Sequence, residues 1–345
     1  MRCLTLANAL AKRAVQVRFV SRHLPAYLRE MLEEKGYEWT GCEQHPLAGA
    51  IDELVHSSWL GVSQQVDARD TIKALEDAVW DCLIVDHYAL DARWERMLRA
   101  SARHIFALDD LADRAHDCDI LLDQNFYEDM AARYIKRVSA QCKLLLGPRY
   151  VLLREEFNTL RNSARIRSGK VERLLVIFGG VDAGNYTGLV LRALENLKPA
   201  MLAVDVVIGA QHPQREHIIA ACARLSYVCH VQTKRMAELM LQADLAIGAC
   251  GFTSYEFAAM QLPAILLPVT AIQEIVAKGL ANRGVAYALT LPGKDAVAGI
   301  AAALARVMEA AHERAAMSLA CKNFLDAEGV NRVADSILEL KDSHE

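Results

Sequence analysis

The pattern of apolar positions is clearest between residues 243 and 273, where two short apolar runs flank one helical segment. Residues 245–249 form an uninterrupted apolar run typical of a buried strand, and a turn of small residues follows it. Residues 252–261 have helical character, and a second apolar run covers 263–269. Because the connection between the two runs is one short helix, the pattern predicts a parallel βαβ unit.

The first half of the chain has a similar alternation of helices and strands. Apolar residues recur on one helical face over residues 1–13, a short alternating strand covers 15–19, and a second helix covers 27–35. Four apolar strands follow, at 82–85, 104–108, 119–122 and 143–146. A doubly wound domain begins with a strand, and none precedes the first helix. We therefore expect the first strand of this domain to be absent and the natural start of the protein to lie upstream.

A polar stretch separates the two halves of the chain. Residues 158–172 are rich in arginine and lack apolar periodicity, so they predict a surface linker. A strand at 174–178 then opens a second half in which strands and helices again alternate. The predicted fold class is α/β, with two Rossmann-like domains facing each other across a cleft. The predicted domains are residues 1–157 and 173–345, with the linker at 158–172.

Length and composition agree with two domains and exclude several classes of protein. A chain of 345 residues is longer than one hydrophobic core usually supports. The net charge of −4 argues against nucleic-acid binding, and no apolar run approaches the ~20 residues that cross a bilayer. The nine cysteines include no C-x-x-C pair, which predicts buried thiols in a reducing compartment. We expect a cytoplasmic monomer that needs neither a metal ion nor another cofactor.

Two turns between a strand and a helix have features of a phosphate site. A glycine turn precedes the helix that opens with Thr253 and Ser254, where unpaired N–H groups and the helix dipole attract anions. Glu256, in the same helix, is positioned to accept hydrogen bonds from the hydroxyls of a ribose. The turn at Gly179 and Gly180 lacks the lysine of a P-loop but permits close approach of an anion to the backbone. The alternative is that Thr253 or Ser254 only caps the helix and Glu256 favours its dipole.

Polar residues follow three successive strands of the first half. His87 and Tyr88 come after 82–85, Asp109 and Asp110 follow the next strand, and Asn125 lies just beyond the third. Ligands bind outside the carboxyl ends of parallel strands, so these positions predict one side of a binding site. For any one of them the alternative is a turn-forming residue. The aspartate pair is the nearest candidate for a metal site, but such pairs are more often turn residues.

Several stretches, in the same order and over nearly the whole chain, together resemble one family. They are MRCLTLANAL, LIVDHYALD, LDDLADRAHDCDILLDQN, GPRYVLLREEF, VIFGGVDAGN, GFTSYEFAAMQLPAI and DAEGVNRVADSIL. The chain resembles the UDP-sugar hydrolases of pseudaminic acid biosynthesis, which are relatives of the GT-B glycosyltransferases. The resemblance implies that water cleaves a UDP-linked diacetamido-trideoxy sugar into UDP and the free sugar.

The resemblance also implies roles for single residues. It assigns the diphosphate to Gly179, Gly180, Thr253 and Ser254, the ribose to Glu256, and the sugar to Tyr88, Asn125, Arg149, Arg154 and Gln273. Family members carry a Gly-x-Gly-His loop before the first helix, and its histidine is the expected base. The sequence here starts inside that helix, so His87, which follows a buried strand, is the candidate to act beside Tyr88 in catalysis. The alternative is that His87 is structural or only positions the substrate. A family asparagine is replaced by Ile272, which offers no side-chain hydrogen bond.

Two other functions stay open on the sequence alone. A glycosyltransferase would use the same UDP site and pass the sugar to a sugar or lipid acceptor. A nucleotide-sugar binder would keep the UDP half of the site without turnover, because the family histidine is missing. The sequence has no obvious basic or apolar patch for docking on a membrane, which favours the hydrolase over a transferase with a lipid acceptor.

Overall fold

The computed structural model describes residues 1–45, 52–290 and 293–342. Of residues 341 and 342, it describes the backbone alone. It contains helices α1–α13 and strands β1–β12, and every pair of neighbouring strands is parallel. The elements in chain order are α1 Arg2–Ala11, β1 Arg18–Ser21, α2 Ala26–Glu34, β2 Glu38–Gly41, α3 Gln64–Leu75, β3 Trp80–Val85, α4 Ala92–Leu98, β4 Ala102–Leu108, β5 Ile120–Asp123, β6 Lys143–Leu146, α5 Glu155–Arg161, β7 Arg173–Ile177, α6 Tyr186–Leu197, β8 Ala203–Ile208, α7 Arg215–Arg224, β9 Val228–Val231, α8 Met236–Gln242, β10 Leu245–Ala249, α9 Phe252–Ala259, β11 Ala264–Leu267, α10 Ala271–Asn282, β12 Tyr287–Ala288, α11 Ala296–Glu309, α12 Ala311–Phe324 and α13 Gly329–Asp342.

The chain divides into two compact units whose boundaries differ from those predicted. Unit 1 comprises Met1–Asn125, Asp129–Leu152 and Glu328–Glu345, and unit 2 comprises Phe126–Glu128 and Leu153–Ala327. The last helix, α13, was predicted to belong to the second domain, but it buries its apolar face in the core of unit 1. Helical periodicity shows that a helix has an apolar face but does not show which core covers that face. No helix in the described ranges is long and apolar enough to span a bilayer.

Unit 1 contains two separate parallel sheets. Within the described residues, strands β1 and β2 pair only with each other, and a second sheet has the order β3-β4-β5-β6. Side chains of β4 point alternately to two cores, with Ile105 in one core and Phe106 in the other. Helices α1 and α13 cover the face that contains Phe106. Because all four strands are parallel, their carboxyl ends lie on one edge, as predicted for the polar residues that follow β3, β4 and β5.

In the described part of unit 2, the strands form one six-stranded sheet with the order β12-β11-β10-β7-β8-β9. The chain moves outward in one direction from β7 to β9 and in the other from β10 to β12, so the order reverses between the adjacent strands β7 and β10. Such a reversal leaves a crevice at the carboxyl ends of the two central strands, where α/β proteins bind ligands. The predicted βαβ unit is present as β10, α9 and β11, directly at this reversal.

The segment predicted as a linker, residues 158–172, belongs to unit 2 and is exposed at most positions. Its first residues belong to α5, and Arg167 is only 1% exposed, within unit 2. The Arg167 guanidinium donates hydrogen bonds to backbone carbonyls of the chain after α8 and α9, including those of Ala243 at 3.3 Å and Met260 at 2.6 Å. The burial of Arg167 cannot be predicted from the sequence pattern. An arginine whose hydrogen bonds go to backbone carbonyls requires no apolar periodicity in the residues around it.

Candidate functional site

The end of β7 exposes the glycine turn that the sequence singled out. Gly179 has φ of 84°, a left-handed conformation that favours glycine, and a Cβ atom added at Gly179 or Gly180 would meet no atom within 4 Å. Below the turn the packing is tight, because a Cβ atom at Gly209 would lie 1.9 Å from the carbonyl oxygen of Gly180. The turn is therefore packed against Gly209 on one side, and on the other side Gly179 and Gly180 leave space for a ligand.

The helix after this turn is already capped, so its N–H groups are occupied. Asp182 accepts hydrogen bonds from the backbone N–H groups of Tyr186 and Thr187, both at 2.9 Å. The side chain of Asn185 accepts a third from Gly188 at 3.1 Å. These caps satisfy the first turn of α6. An anion beside β7 would consequently contact the exposed glycine turn rather than the start of this helix.

The start of α9, beside the end of β10, is different. Gly251 occupies the N-cap position, and no side chain caps the helix. The alternative that Thr253 or Ser254 serves as the N-cap is therefore wrong. The Ser254 hydroxyl is buried next to the Cys250 thiol and has no hydrogen bond within the usual limits. The Ser254 N–H donates to the Gly251 carbonyl at 3.0 Å, whereas no described side chain caps the N–H groups of Phe252 and Thr253. An uncapped helix start at the point where the strand order reverses is a candidate anion site.

Glu256 lies in the same helix and is buried, with 6% of its surface exposed. Arg154 donates a hydrogen bond to its Oε1 at 3.0 Å, and the same guanidinium contacts Glu156 at 2.9 Å. Burial raises the pKa of the Glu256 carboxyl, and the Arg154 cation opposes this change. The structure thus brings together two predicted site residues, Glu256 and Arg154, that the resemblance assigned to different parts of the ligand.

Gln273, another predicted site residue of unit 2, lies near the start of α10. Its side-chain oxygen accepts a hydrogen bond from the Val269 N–H at 3.0 Å, which orients the amide with its NH₂ group away from that contact. Thr270 caps the helix by accepting from the Gln273 N–H at 3.3 Å. Ile272 is 47% exposed beside them.

In unit 1, His87 and Tyr88 follow β3 as predicted, but their environments differ. The Nδ1 atom of His87 accepts a hydrogen bond from the Ala89 N–H at 3.1 Å, so the neutral ring carries its proton on Nε2. Burial lowers the pKa of His87, which keeps the ring neutral at pH 7. With its one lone pair engaged, His87 is a hydrogen-bond donor in this arrangement and not a ready base.

Tyr88 belongs to a polar cluster at the ends of β3 and β4. Burial and the neighbouring Asp110 carboxylate both raise the pKa of Tyr88, so its hydroxyl stays protonated. Arg2, in the first turn of α1, donates to Asp110 at 3.1 Å and binds Asp86 through two nitrogens, the shorter contact being 2.6 Å. The cluster therefore holds the start of α1 against the strand ends.

The other two predicted residues of unit 1 lie at the ends of β5 and β6. The Asn125 N–H donates to the Asp123 carboxylate at 3.0 Å, which fixes the turn after β5. Arg149 is exposed, its carbonyl accepts from Arg332 at 3.0 Å, and its guanidinium lies 6.0 Å from the ring centre of Tyr150. Both residues thus lie on the same edge of the sheet as Tyr88.

Sequence reasoning missed a buried charged network behind this edge. His116 contacts Glu95 at 2.7 Å through Nδ1, and its Nε2 atom lies 3.7 Å from Asp109. Arg114 binds Asp109 at 2.9 Å and donates to the carbonyl of Leu90 at 2.7 Å, so it holds the loop that carries Tyr88. The sequence signal for this network is the high density of charged residues in LDDLADRAHDCD, and such a density is equally typical of an exposed turn.

This network predicts a pH-dependent loss of stability. Burial opposes the charge on His116, but the contacts with Asp109 and Glu95 outweigh it and raise the pKa to about 9 from the ordinary 6.5. A raised pKa stabilises the fold fully below pH 6.5, and that contribution disappears as the pH rises through about 9. Urea unfolding at pH 6 and pH 10 should show the wild type losing on the order of 3 kcal/mol more than His116→Gln. A difference between the two proteins that does not change with pH would contradict this assignment.

One group of side chains in the described ranges has the spacing of metal ligands, namely Glu43, His45 and Asp70. The Asp70 carboxylate is already bound by Arg22 at 2.8 Å and by His45 at 2.9 Å. A guanidinium in contact with the same oxygen atom opposes the binding of a cation there.

Comparison with protein families and curated proteins gave only distant relatives. No family model matches the chain. It is 27% identical over 179 residues to the UDP-2,4-diacetamido-2,4,6-trideoxy-beta-L-altropyranose hydrolase of Campylobacter jejuni, covering 51% of this chain and 63% of that protein. It is 26% identical over 217 residues to the spore coat polysaccharide biosynthesis protein SpsG of Bacillus subtilis, covering 62% of this chain and 63% of that protein. An uncharacterised protein of Methanocaldococcus jannaschii matches at 23% over 208 residues, covering 58% of this chain and 43% of that protein. The chain therefore spans less than two thirds of each of these relatives.

Comparison with solved structures confirms the predicted fold class. MurG of Acinetobacter baumannii superposes with a TM-score of 0.63 at 15% identity, covering 98% of this chain and 95% of MurG. UGT89C1 of Arabidopsis thaliana superposes with a TM-score of 0.66 at 11% identity, covering 99% of this chain and 96% of UGT89C1. The UDP-GlcNAc 2-epimerase of Neisseria meningitidis, solved with UDP-GlcNAc, superposes with a TM-score of 0.61 at 11% identity, covering 99% of this chain and 95% of the epimerase. The chain has a GT-B-type fold with two Rossmann-like α/β units, and the resemblance seen in its sequence is confirmed at the level of these relatives.

Proposed function

We propose that this protein hydrolyses a UDP-linked diacetamido-trideoxy sugar to UDP and the free sugar, in the biosynthesis of a nonulosonic acid such as pseudaminic acid. The observation that carries the proposal is the uncapped start of α9, which lies where the strand order reverses and has the buried carboxylate of Glu256 in the same helix. The similarity to the Campylobacter jejuni hydrolase supports the choice of substrate.

In this proposal, unit 2 holds the nucleotide. The diphosphate lies against the first N–H groups of α9 and the Ser254 hydroxyl, with the exposed turn at Gly179 and Gly180 on its other side. Glu256 accepts hydrogen bonds from the two ribose hydroxyls. The backbone N–H groups stabilise the negative charge that develops on the departing diphosphate, which is the electrostatic contribution expected of fixed backbone donors.

The reaction balances without a redox partner. The oxygen of water bonds to the anomeric carbon, the bond from that carbon to the diphosphate oxygen breaks, and UDP leaves with the bonding electrons. The proton that the water loses passes to solvent, because His87 is engaged as a donor in this arrangement. The residues of unit 1 proposed to contact the sugar are Tyr88, whose protonated hydroxyl donates, together with Asn125 and Arg149 at the same sheet edge. Gln273 contributes the NH₂ group that its contact with Val269 leaves available. His87 serves here as a donor that orients the substrate.

A UDP-release assay tests this function against its two competitors. With the UDP-linked sugar as the sole substrate and a metal chelator present, we expect UDP and free sugar to appear in equal amounts by ³¹P and ¹H NMR. A glycosyltransferase is favoured by the fold of MurG and UGT89C1, and it would release UDP only after a sugar or lipid acceptor is added. Binding of UDP without any release would identify a nucleotide-sugar binder and contradict the proposal.

A further inference from the structure

Two aromatic rings that pack on Tyr88 in unit 1 have no part in the roles described above. The rings of His56, Trp59 and Tyr88 pack together, with centroid distances of 4.5 Å for His56 to Trp59, 5.6 Å for His56 to Tyr88 and 5.9 Å for Trp59 to Tyr88. We call these three residues the aromatic platform. Trp59 is 59% exposed, so its ring offers an apolar face that a ligand can cover.

The loop that carries the platform is held in place by a set of specific contacts. Gln64, in the first turn of α3, donates to the Asp52 carboxylate at 3.1 Å and accepts from the Asp91 N–H at 3.1 Å. Arg93 also donates to Asp52, at 2.9 Å, and Leu60 is buried in the core directly after Trp59. A ring that is exposed on a well-anchored loop loses little conformational freedom when a ligand binds, so it is suited to recognition.

The position of the platform indicates what it contacts. Tyr88 follows β3, so the rings lie at the carboxyl edge of the sheet of unit 1, where the polar cluster of Asp86, Asp110 and Arg2 also lies. An apolar ring surface beside hydrogen-bonding groups matches a ligand that has an apolar face and a polar rim. A trideoxy sugar with two acetamido groups has this character, because its C–H bonds and three methyl groups form apolar surfaces and its hydroxyl and amide groups do not.

We propose that His56, Trp59 and Tyr88 bind the sugar ring of the nucleotide sugar, with Trp59 stacked on its apolar face. This inference rests on the proposed function, which supplies the sugar as the ligand of unit 1. It adds two residues, His56 and Trp59, that neither the sequence motifs nor the resemblance indicated. It also makes the platform a determinant of specificity, because a sugar without the methyl groups would lose contacts with the rings.

The experiment compares two probes by calorimetric titration of three variants. One probe is UDP, and the other is the UDP-linked diacetamido-trideoxy sugar with its anomeric oxygen replaced by CH₂, so that the protein cannot cleave it during the titration. Trp59→Ala should weaken binding of the UDP-sugar about tenfold while leaving UDP affinity within twofold of the wild type. Trp59→Phe, which keeps an aromatic face, should restore most of the loss. Tyr27→Ala is the matched control, because Tyr27 is an exposed aromatic residue of unit 1, at 53%, and lies on helix α2.

Three results would overturn the inference. They are an unchanged UDP-sugar affinity in Trp59→Ala, an equal loss of UDP affinity, which would assign the ring to the nucleotide, and a wild type that binds the UDP-sugar no more tightly than UDP. A failure of the proposed function is recognised separately. In that case the wild type releases no UDP, while the selective effect of Trp59→Ala on UDP-sugar binding still reports the contact. Thermal unfolding of each variant checks that the substitutions leave the fold intact.

Discussion

Replacing Glu256 by alanine is expected to weaken the binding of UDP by about 50-fold or more. Hydrogen bonds to a charged acceptor contribute about 1.5 to 3 kcal/mol each, and Glu256 is proposed to accept two from the ribose. The carboxylate is buried and held at 3.0 Å by Arg154, so its position is fixed before the ligand arrives. Calorimetric titration with UDP alone measures this effect without depending on catalysis.

Two further variants make the result specific to the carboxylate. Glu256→Gln retains the shape and one acceptor oxygen, and we expect it to lose less affinity than the alanine variant. Glu238→Ala is the control, because Glu238 is an exposed glutamate in a helix of the same unit and pairs with Arg235. If UDP binds Glu256→Ala as tightly as it binds the control, the ribose assignment is wrong.

The second large effect is expected from Arg167→Met, which should destabilise unit 2 by about 3 to 5 kcal/mol. The buried guanidinium donates to carbonyls at the ends of α8 and α9, among them those of Met240 at 3.1 Å and Gln261 at 3.1 Å. Without it, several buried carbonyls lose their partner, at about 1 to 3 kcal/mol each. Burial lowers the pKa of Arg167 to about 10, so part of this loss is offset when a buried charge is removed.

The control for Arg167 is its neighbour Arg165. Its side chain is 51% exposed and pairs with Asp244 at 2.5 Å, and exposed ion pairs contribute roughly 0 to 1 kcal/mol. Urea unfolding followed by circular dichroism should therefore show a much smaller change for Arg165→Met. An Arg167→Met protein that unfolds within 1 kcal/mol of the wild type would contradict the structural role of the buried arginine.

Part of the fold could be predicted because burial leaves a readable pattern. The strand at 245–249 was predicted with the limits that the structure shows, since a short apolar run between polar residues has few alternative structures. The polar residues after β3, β4 and β5 could be assigned to one sheet edge, because parallel strands place their carboxyl ends together. The start of α3 is not visible in the apolar pattern, since its first turn combines polar residues with a serine cap that apolar periodicity does not register.

The candidate site was less predictable because its chemistry depends on three-dimensional partners. The sequence does not reveal that α6 is capped by Asp182 while α9 is uncapped, although a polar residue lies near the start of each. It also does not reveal that the lone pair of His87 is taken by the Ala89 N–H. Buried charges such as Arg167 and His116 have the same sequence signature as surface charges, and only their partners distinguish them.

The measurement that tests the central claim most directly is the release of UDP from the UDP-linked diacetamido-trideoxy sugar in water enriched in ¹⁸O, without an acceptor. If the protein is a hydrolase that breaks the bond between the anomeric carbon and the diphosphate oxygen, mass spectrometry will find one ¹⁸O atom in the free sugar and none in UDP. Label in UDP, or the absence of any UDP until an acceptor is added, would contradict the account.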